Sequence, residues 1–154
     1  MVGEEKPRKV VVDTYALLAM AYGELGADAV RLLQGVRRGR VKGLIPATVV
    51  YEYVVHWLRG RIPVLESIEE VLTFLTRYFT VTELSLNDWV ESAKIKHRGD
   101  ELLRASSDPL LRARRLSLVD STIIATAMRY KAPIITGDRD LGYVASSLGL
   151  KVIW

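Results

Sequence analysis

Five acidic side chains fall where a short apolar run ends or a helix begins. Asp13 closes KVVVD (9–13), and Glu52 lies within ATVVYEYVVHWLRG (47–60). Asp120 lies in SLVDSTIIATAMRYK (117–131), and Asp138 and Asp140 follow the apolar run of APIITGDRDL (132–141). Carboxylates brought to one place repel each other, which raises their pKa values unless a cation joins them. The chain has no cysteine and two histidines, so the donors on offer are oxygens. Oxygen donors suit a hard divalent cation, Mg²⁺ or Mn²⁺, rather than zinc or copper. A cation so held acidifies a bound water, and hydrolysis is the chemistry this allows. Thr14, Ser121 and Thr136 stand one or two residues from three of the acids. Their hydroxyls can orient carboxylates or hold a water, and equally can serve as helix-cap or turn hydroxyls.

Each acid also has an ordinary structural reading. Asp13 can cap a helix starting at Thr14, and Asp138 one starting at Arg139. Asp120 completes Ser117-x-x-Asp120, a capping-box pattern. Glu52 can pair with His56 one turn on. Glu52 resists that reading most: its neighbours Val49, Val50, Tyr51, Tyr53, Val54 and Val55 make the helix apolar nearly all round. Such a helix is expected to be buried, and a buried carboxylate needs a partner.

The elements that must position these residues follow from the apolar pattern. Valine- and isoleucine-rich runs at 9–13, 41–46, 80–84, 132–136 and 150–154 predict strands. Helical periodicity covers 14–22, 26–39, 47–60, 64–79, 85–98, 117–131 and 139–149. Residues 1–8 read as a flexible tail, and 9–154 as a single domain. The segment 99–115 is polar, basic and broken by Pro109. Strands alternating with helices mean βαβ units and a parallel sheet covered on both faces. In such a sheet ligands bind outside the carboxyl ends of the strands, where Asp13 and Asp138 fall.

The 154 residues fit one domain with a real core. No apolar run reaches the ~18 residues of a membrane span, and MVGEEKPRK lacks the apolar stretch of a signal peptide. The absence of cysteine suits a reducing cytoplasm. A single glutamine (Gln34) and a single asparagine (Asn87) match the thermophile pattern. The net charge is +4, and the stretch 31–62 holds seven basic residues against one acid, Glu52. A basic surface attracts polyanions, although a solvated arginine-rich face explains the same composition.

Taken together, VVVDTYALL, IPATVVYEYV, LSLVDSTIIATAM and IITGDRDL resemble the PIN-domain family in order and spacing, over Lys9 to Trp154. Within that family the pattern is similar to the VapC-like ribonuclease toxins of type II toxin–antitoxin pairs. The resemblance implies a PIN-like three-layer α/β sandwich with a parallel sheet of four to five strands flanked by helices. It implies a Mg²⁺- or Mn²⁺-dependent endoribonuclease whose metal-binding acids are Asp13, Glu52, Asp120 and Asp138, with Asp140 at a position often acidic. A homodimer is implied, as is an antitoxin whose tail covers the acidic site. The segment 99–116 is longer than compact toxins have, and its arginines suit an RNA-contact loop. Arg37, Arg38, Arg40, Arg112, Arg114 and Arg115 are the candidate contacts to the RNA backbone.

Rival classes leave their own signatures. A PIN fold that binds RNA or protein without cutting would lack one of the acids, and all four are present. A phosphoryl-accepting domain wants a lysine after a late strand, where IITGDRD has none. A P-loop enzyme needs Gly-x-x-x-x-Gly-Lys-Ser/Thr, which is absent. A metal-free ribonuclease wants paired acid–base groups, and neither His56 nor His97 sits in such a motif.

Overall fold

The computed structural model describes residues 6–154. Residues 1–5 of the expected tail lie outside the described residues. Lys6 to Arg8 lead into the first strand without regular structure, and the Arg8 carbonyl accepts from Lys42 N at 2.9 Å. The strands are β1 (Lys9–Val12), β2 (Lys42–Pro46), β3 (Phe79–Thr82), β4 (Ile134–Ile135) and β5 (Val152–Ile153). They form one parallel sheet in the order β3-β2-β1-β4-β5. The helices are α1 (Thr14–Ala21), α2 (Ala27–Arg37), α3 (Ala47–Leu58), α4 (Ile68–Tyr78), α5 (Leu86–Arg104), α6 (Pro109–Arg112), α7 (Leu118–Tyr130) and α8 (Arg139–Ser147).

The strand order reverses direction once. From β1 the chain steps outward to β2 and β3, then returns to the other side of β1 with β4 and β5. Right-handed connections then lay α1–α4 on one face and α5–α8 on the other. Val10, Val11, Val12, Ile134 and Ile135 are wholly buried between the layers, as expected of central parallel strands. The switch point lies between β1 and β4, where Val12 stands opposite Ile135. No helix among the described residues is long and apolar enough to cross a membrane.

Three expectations need correction. First, α4 starts at Ile68, not Val64, because Ser67 caps it: Ser67 Oγ accepts from Glu70 N at 3.2 Å, and the Glu70 carboxylate accepts from Glu66 N at 2.7 Å. Second, the segment after residue 98 is largely helical. Helix α5 runs through Gly99 to Arg104, and α6 starts on Pro109 behind its Asp108 cap. Gly99 is there for close packing, since a Cβ would come within 2.8 Å of Leu116 Cδ2 and 3.2 Å of Val144 Cγ1. Third, α3 is not buried all round: only Val49 and Tyr53 are, while Tyr51 and Leu58 are 72% and 70% exposed.

Asp88 ties the α5 start to α7. Its carboxylate completes the capping box with Ser85 and accepts from Arg129 Nη1 at 2.9 Å. Asp88→Ala is expected to cost about 1–3 kcal/mol, the sum of a lost cap and a lost charge-assisted bond. That lowers the melting temperature by roughly 3–8 °C. A thermal melt that matches the wild type would refute this role.

Candidate active site

Each site acid has its position set by a different element. Asp13 follows β1 and caps α1: its Oδ1 accepts from Ala16 N at 2.7 Å. Its Oδ2 accepts from Thr136 Oγ1 at 2.5 Å, and Thr136 Oγ1 in turn accepts from Asp138 N at 2.9 Å. One hydroxyl therefore joins the acid after β1 to the acid after β4. Asp138 stands in the cap position of α8, where the Leu141 and Asp140 N–H groups face its carboxylate and offset part of the rise in its pKa. Asp120 lies in the first turn of α7, where Ser117 Oγ caps its backbone N–H at 3.0 Å. Glu52 lies midway along α3. The starts of α3 and α7 are joined by Thr48 and Thr122, whose hydroxyls are 2.6 Å apart. Thr122 also donates to the Val119 carbonyl, so Thr48 is the donor between them.

Asp13, Glu52, Asp120 and Asp138 line one pocket of about 260 Å³, together with Thr14, Tyr15, Leu18, His56 and Ser117. No lysine or arginine lines it. Burial pushes the Asp13 carboxyl up to about 7, against the lowering effect of its bonds from Thr136 and Ala16. Burial, reinforced by the charges of Asp138, Asp13 and Glu52, pushes Asp120 up to about 8. Asp138 is also raised, by burial first and by Asp140 next. Charges that raise each other's pKa in this way are close neighbours, and Arg114 offsets the crowding only in part, at Asp138.

The sequence-predicted acids separate into two groups. Four share the pocket. Asp140, buried at 5% exposure, instead accepts from Arg114 Nε at 2.8 Å in an adjoining hollow. The three hydroxyls also differ. Thr136 orients two acids. Thr14 Oγ1 lines the pocket, buried and with no hydrogen-bond partner. Ser121 Oγ is spent on the Ser117 and Leu118 carbonyls of its own helix. The alternative Glu52–His56 pairing gives no ion pair among the described residues. His56 Nδ1 accepts from Arg61 Nη1 at 2.7 Å, and burial and Arg61 lower the imidazole pKa.

His56, Tyr15 and Leu18 are pocket residues that no motif singled out. His56 had one available signal: it stands four residues after Glu52, on the same face of α3. Arg37, Arg38 and Arg40 do not join the site. Arg37 ends α2, Arg38 and Arg40 lie between α2 and β2, and the latter two line a hollow with Lys6 and Pro7, which precede β1. That is the amino-terminal edge of the sheet, and the acids occupy the opposite edge.

The donor set fits a hard cation. Among the described residues no three Asp, Glu or His groups converge tightly enough to grip an ion directly. Mg²⁺ does not demand that, since it keeps several waters and takes one or two carboxylates. A pocket with four carboxylates and the unpartnered Thr14 hydroxyl offers both direct donors and acceptors for such waters.

A model of the PIN domain matches residues 10–146. The chain belongs to the PIN domain family. Comparison with curated proteins gives no match. Among solved structures, VapBC2 from Rickettsia felis, bound to a DNA fragment from its promoter, is similar with a TM-score of 0.62 at 10% identity, covering 94% of this chain and 96% of that one. PAE2754 from Pyrobaculum aerophilum gives 0.58 at 16% identity, over 94% and 83%. VapC20 from Mycobacterium tuberculosis, a toxin that cleaves the sarcin–ricin loop, gives 0.53 at 16% identity, over 92% and 95%. At these identities the likeness is one of fold.

The raised carboxyls have a consequence for stability. Between about pH 4, where unfolded carboxyls ionise, and about pH 8, Asp13 and Asp120 hold protons in the folded chain that the unfolded chain has released. Stability therefore falls as pH rises through that window. The lowered carboxyls Asp88 and Asp100 act below it. The metal-free melting temperature is expected to drop by several degrees from pH 5 to pH 8. Millimolar Mn²⁺ or Mg²⁺ should reverse most of the drop, and Asp120→Asn should flatten it. A melting temperature that holds steady or rises with pH in EDTA would contradict the assigned charge crowding.

Proposed function

We propose that the chain is a Mg²⁺- or Mn²⁺-dependent endoribonuclease, the toxin of a type II toxin–antitoxin pair. One observation carries the reading: four carboxylates, Asp13 among them fully buried and both Asp13 and Asp120 with raised pKa values, share a pocket that no lysine or arginine lines. A structural cluster would be neutralised from within the protein. This one is left for a cation from outside. Asp13, Glu52, Asp120 and Asp138 would hold it, with the Thr14 hydroxyl beside them.

When bound, a divalent cation supplies an acidified water and offsets the charge of a phosphodiester. The chain does the rest. Thr136 and Ala16 N fix the Asp13 carboxylate, so it needs no reordering when substrate arrives. The Thr136 bond to Asp138 N fixes the turn that carries Asp138. Glu52 and Asp120 face them from α3 and α7, whose starts Thr48 and Thr122 link. Arginine can only donate, so the His56 Nδ1 that faces Arg61 is unprotonated, and the neutral ring carries its proton on Nε2. That N–H is a donor suited to a phosphate oxygen.

A protein antitoxin that covers the acid pocket belongs to this reading, as does a homodimer. Support for a second copy comes from α3, where Tyr51 and Leu58 are large apolar side chains left in water.

The test is cleavage of a long single-stranded RNA by the purified protein in Mg²⁺, Mn²⁺ or EDTA. Asp13→Asn/Asp120→Asn is run beside it. Metal-dependent cutting is expected, and the double variant should lose it by roughly hundredfold or more, the scale seen when a transition-state charge contact is removed. Equal cutting by the variant, or in EDTA, refutes the assigned site. RNA binding with no cutting in any metal favours a PIN fold that binds without catalysis.

A further inference from the structure

We propose that the hollow beside the acid pocket is a subsite for one unpaired nucleotide, with Tyr15 receiving its base and Arg114 its phosphate. The identity of the ligand rests on the nuclease reading above. The hollow measures about 350 Å³ and is lined by Tyr15, Leu110, Arg114, Gly137, Asp138 and Arg139. That is within the size range of small-ligand sites. It shares Tyr15 and Asp138 with the acid pocket. A strand whose phosphodiester lies among the acids can therefore run past Tyr15 into this hollow.

Tyr15 is built as a platform. The first turn of α1 carries it, and its ring meets Trp154 edge-on, with centroids 5.4 Å apart and planes at 67°. Gly137 lies against the ring: a Cβ there would come within 2.7 Å of Tyr15 Cε1 and 2.6 Å of Trp154 Cε2. The ring is thus backed by an indole and by bare backbone, yet Tyr15 remains 49% exposed. A half-exposed aromatic ring, held rigidly at the edge of a site for a polynucleotide, offers a face on which a base can stack. A base can reach it only when splayed out of a helix, which selects single-stranded segments.

Arg114 supplies the charge. Its Nε is fixed on the buried Asp140 at 2.8 Å, while its side chain is 62% exposed. Among the described residues no hydrogen bond occupies Nη1 or Nη2. The other arginines of this segment are used internally. Arg112 donates to the Ser106 and Ser107 carbonyls, and Arg115 to the Arg112 and Arg114 carbonyls. Arg139 pairs with Asp108 at 2.8 Å and pins the α6 turn against the hollow. Asp140 thereby acquires a role distinct from that of the four pocket acids. It turns a flexible arginine into a positioned donor, at hydrogen-bond cost already met in the folded protein.

The experiment measures binding of a short fluorescein-labelled single-stranded oligoribonucleotide by anisotropy, in EDTA, over a range of salt. It compares the wild type with Tyr15→Ala, Tyr15→Phe, Arg114→Ala and Arg114→Lys. Cleavage in Mn²⁺ and thermal melts are recorded for the same proteins. Tyr15→Ala is expected to weaken binding on the order of tenfold, and Tyr15→Phe to retain it. Arg114→Ala is expected to weaken it comparably and to reduce the slope of log K against log salt by about 0.7, one phosphate's share on a single strand. Arg114→Lys should keep the slope while losing affinity. Metal-dependent cutting that persists while Tyr15→Ala and Arg114→Ala bind as the wild type overturns the subsite and leaves the nuclease reading standing. Binding that needs both residues, in a protein that cuts nothing, upholds the subsite and overturns the nuclease reading. A wild type that does not bind the oligonucleotide overturns the subsite outright, as does a Tyr15→Phe as weak as Tyr15→Ala.

Discussion

The Thr136 hydroxyl holds the two halves of the acid pocket's edge together. It donates to the Asp13 carboxylate and accepts from the Asp138 backbone N–H. The residues it joins are far apart in sequence and adjacent in space only because β4 pairs with β1 at the point where the strand order reverses. A parallel sheet leaves its carboxyl-end groups facing one crevice there. The chain uses that crevice by placing an acid directly after each of the two strands. Asp13 has a second obligation to Ala16 N, so one carboxylate ends β1, starts α1 and faces the pocket. A carboxylate has about four acceptor positions, and these two bonds leave others for a ligand.

This arrangement works against the fold's own stability. Asp13 and Asp120 are desolvated among like charges, and both carboxyls are raised far above their ordinary range. The partly buried aspartates outside the pocket are paired: Asp88 with Arg129, Asp100 with Lys96, Asp108 with Arg139, Asp140 with Arg114. The contrast between paired acids outside the pocket and unpaired acids within it is the electrostatic signature of a binding site. Thr14 adds to it, since a buried hydroxyl without a partner is seldom left in a settled core.

Much of this was legible in the sequence for an identifiable reason. Central parallel strands are buried on both faces, so VVV and II announce themselves as unbroken apolar runs. An acid one to three residues past such a run lies at the carboxyl edge by geometry alone. The alternative readings of the acids as helix caps were also right in part. Asp13 does cap α1, and Ser117 does cap Asp120 N–H, so cap and site acid are not exclusive. What failed were inferences from local composition. The polar, basic character of 99–115 hid a helix, since α5 runs on through Gly99, against which Leu116 and Val144 pack. The apolar character of α3 predicts burial, but Tyr51 and Leu58 lie on its outer side. His56 was weighed only as a partner for Glu52, because its place in the pocket depends on which face of α3 turns toward the acids, a tertiary fact.

Charge was the most misleading local signal. The basic stretch 31–62 places Arg37, Arg38 and Arg40 before β2 and thus at the edge of the sheet opposite the acids. A count along the chain cannot tell the two edges apart, whereas the direction of the following strand can. The same lesson holds at finer scale in 112–115, where three arginines within four residues have different roles. Arg112 and Arg115 satisfy backbone carbonyls of the loop between α5 and α6 and of the exit from α6. Arg114 alone meets a buried carboxylate and keeps its terminal nitrogens exposed. What separates them is the destination of each donor. The basic charge relevant to a polyanion is therefore the part that remains after the fold's own acceptors are satisfied, and near the acid pocket that remainder is centred on Arg114.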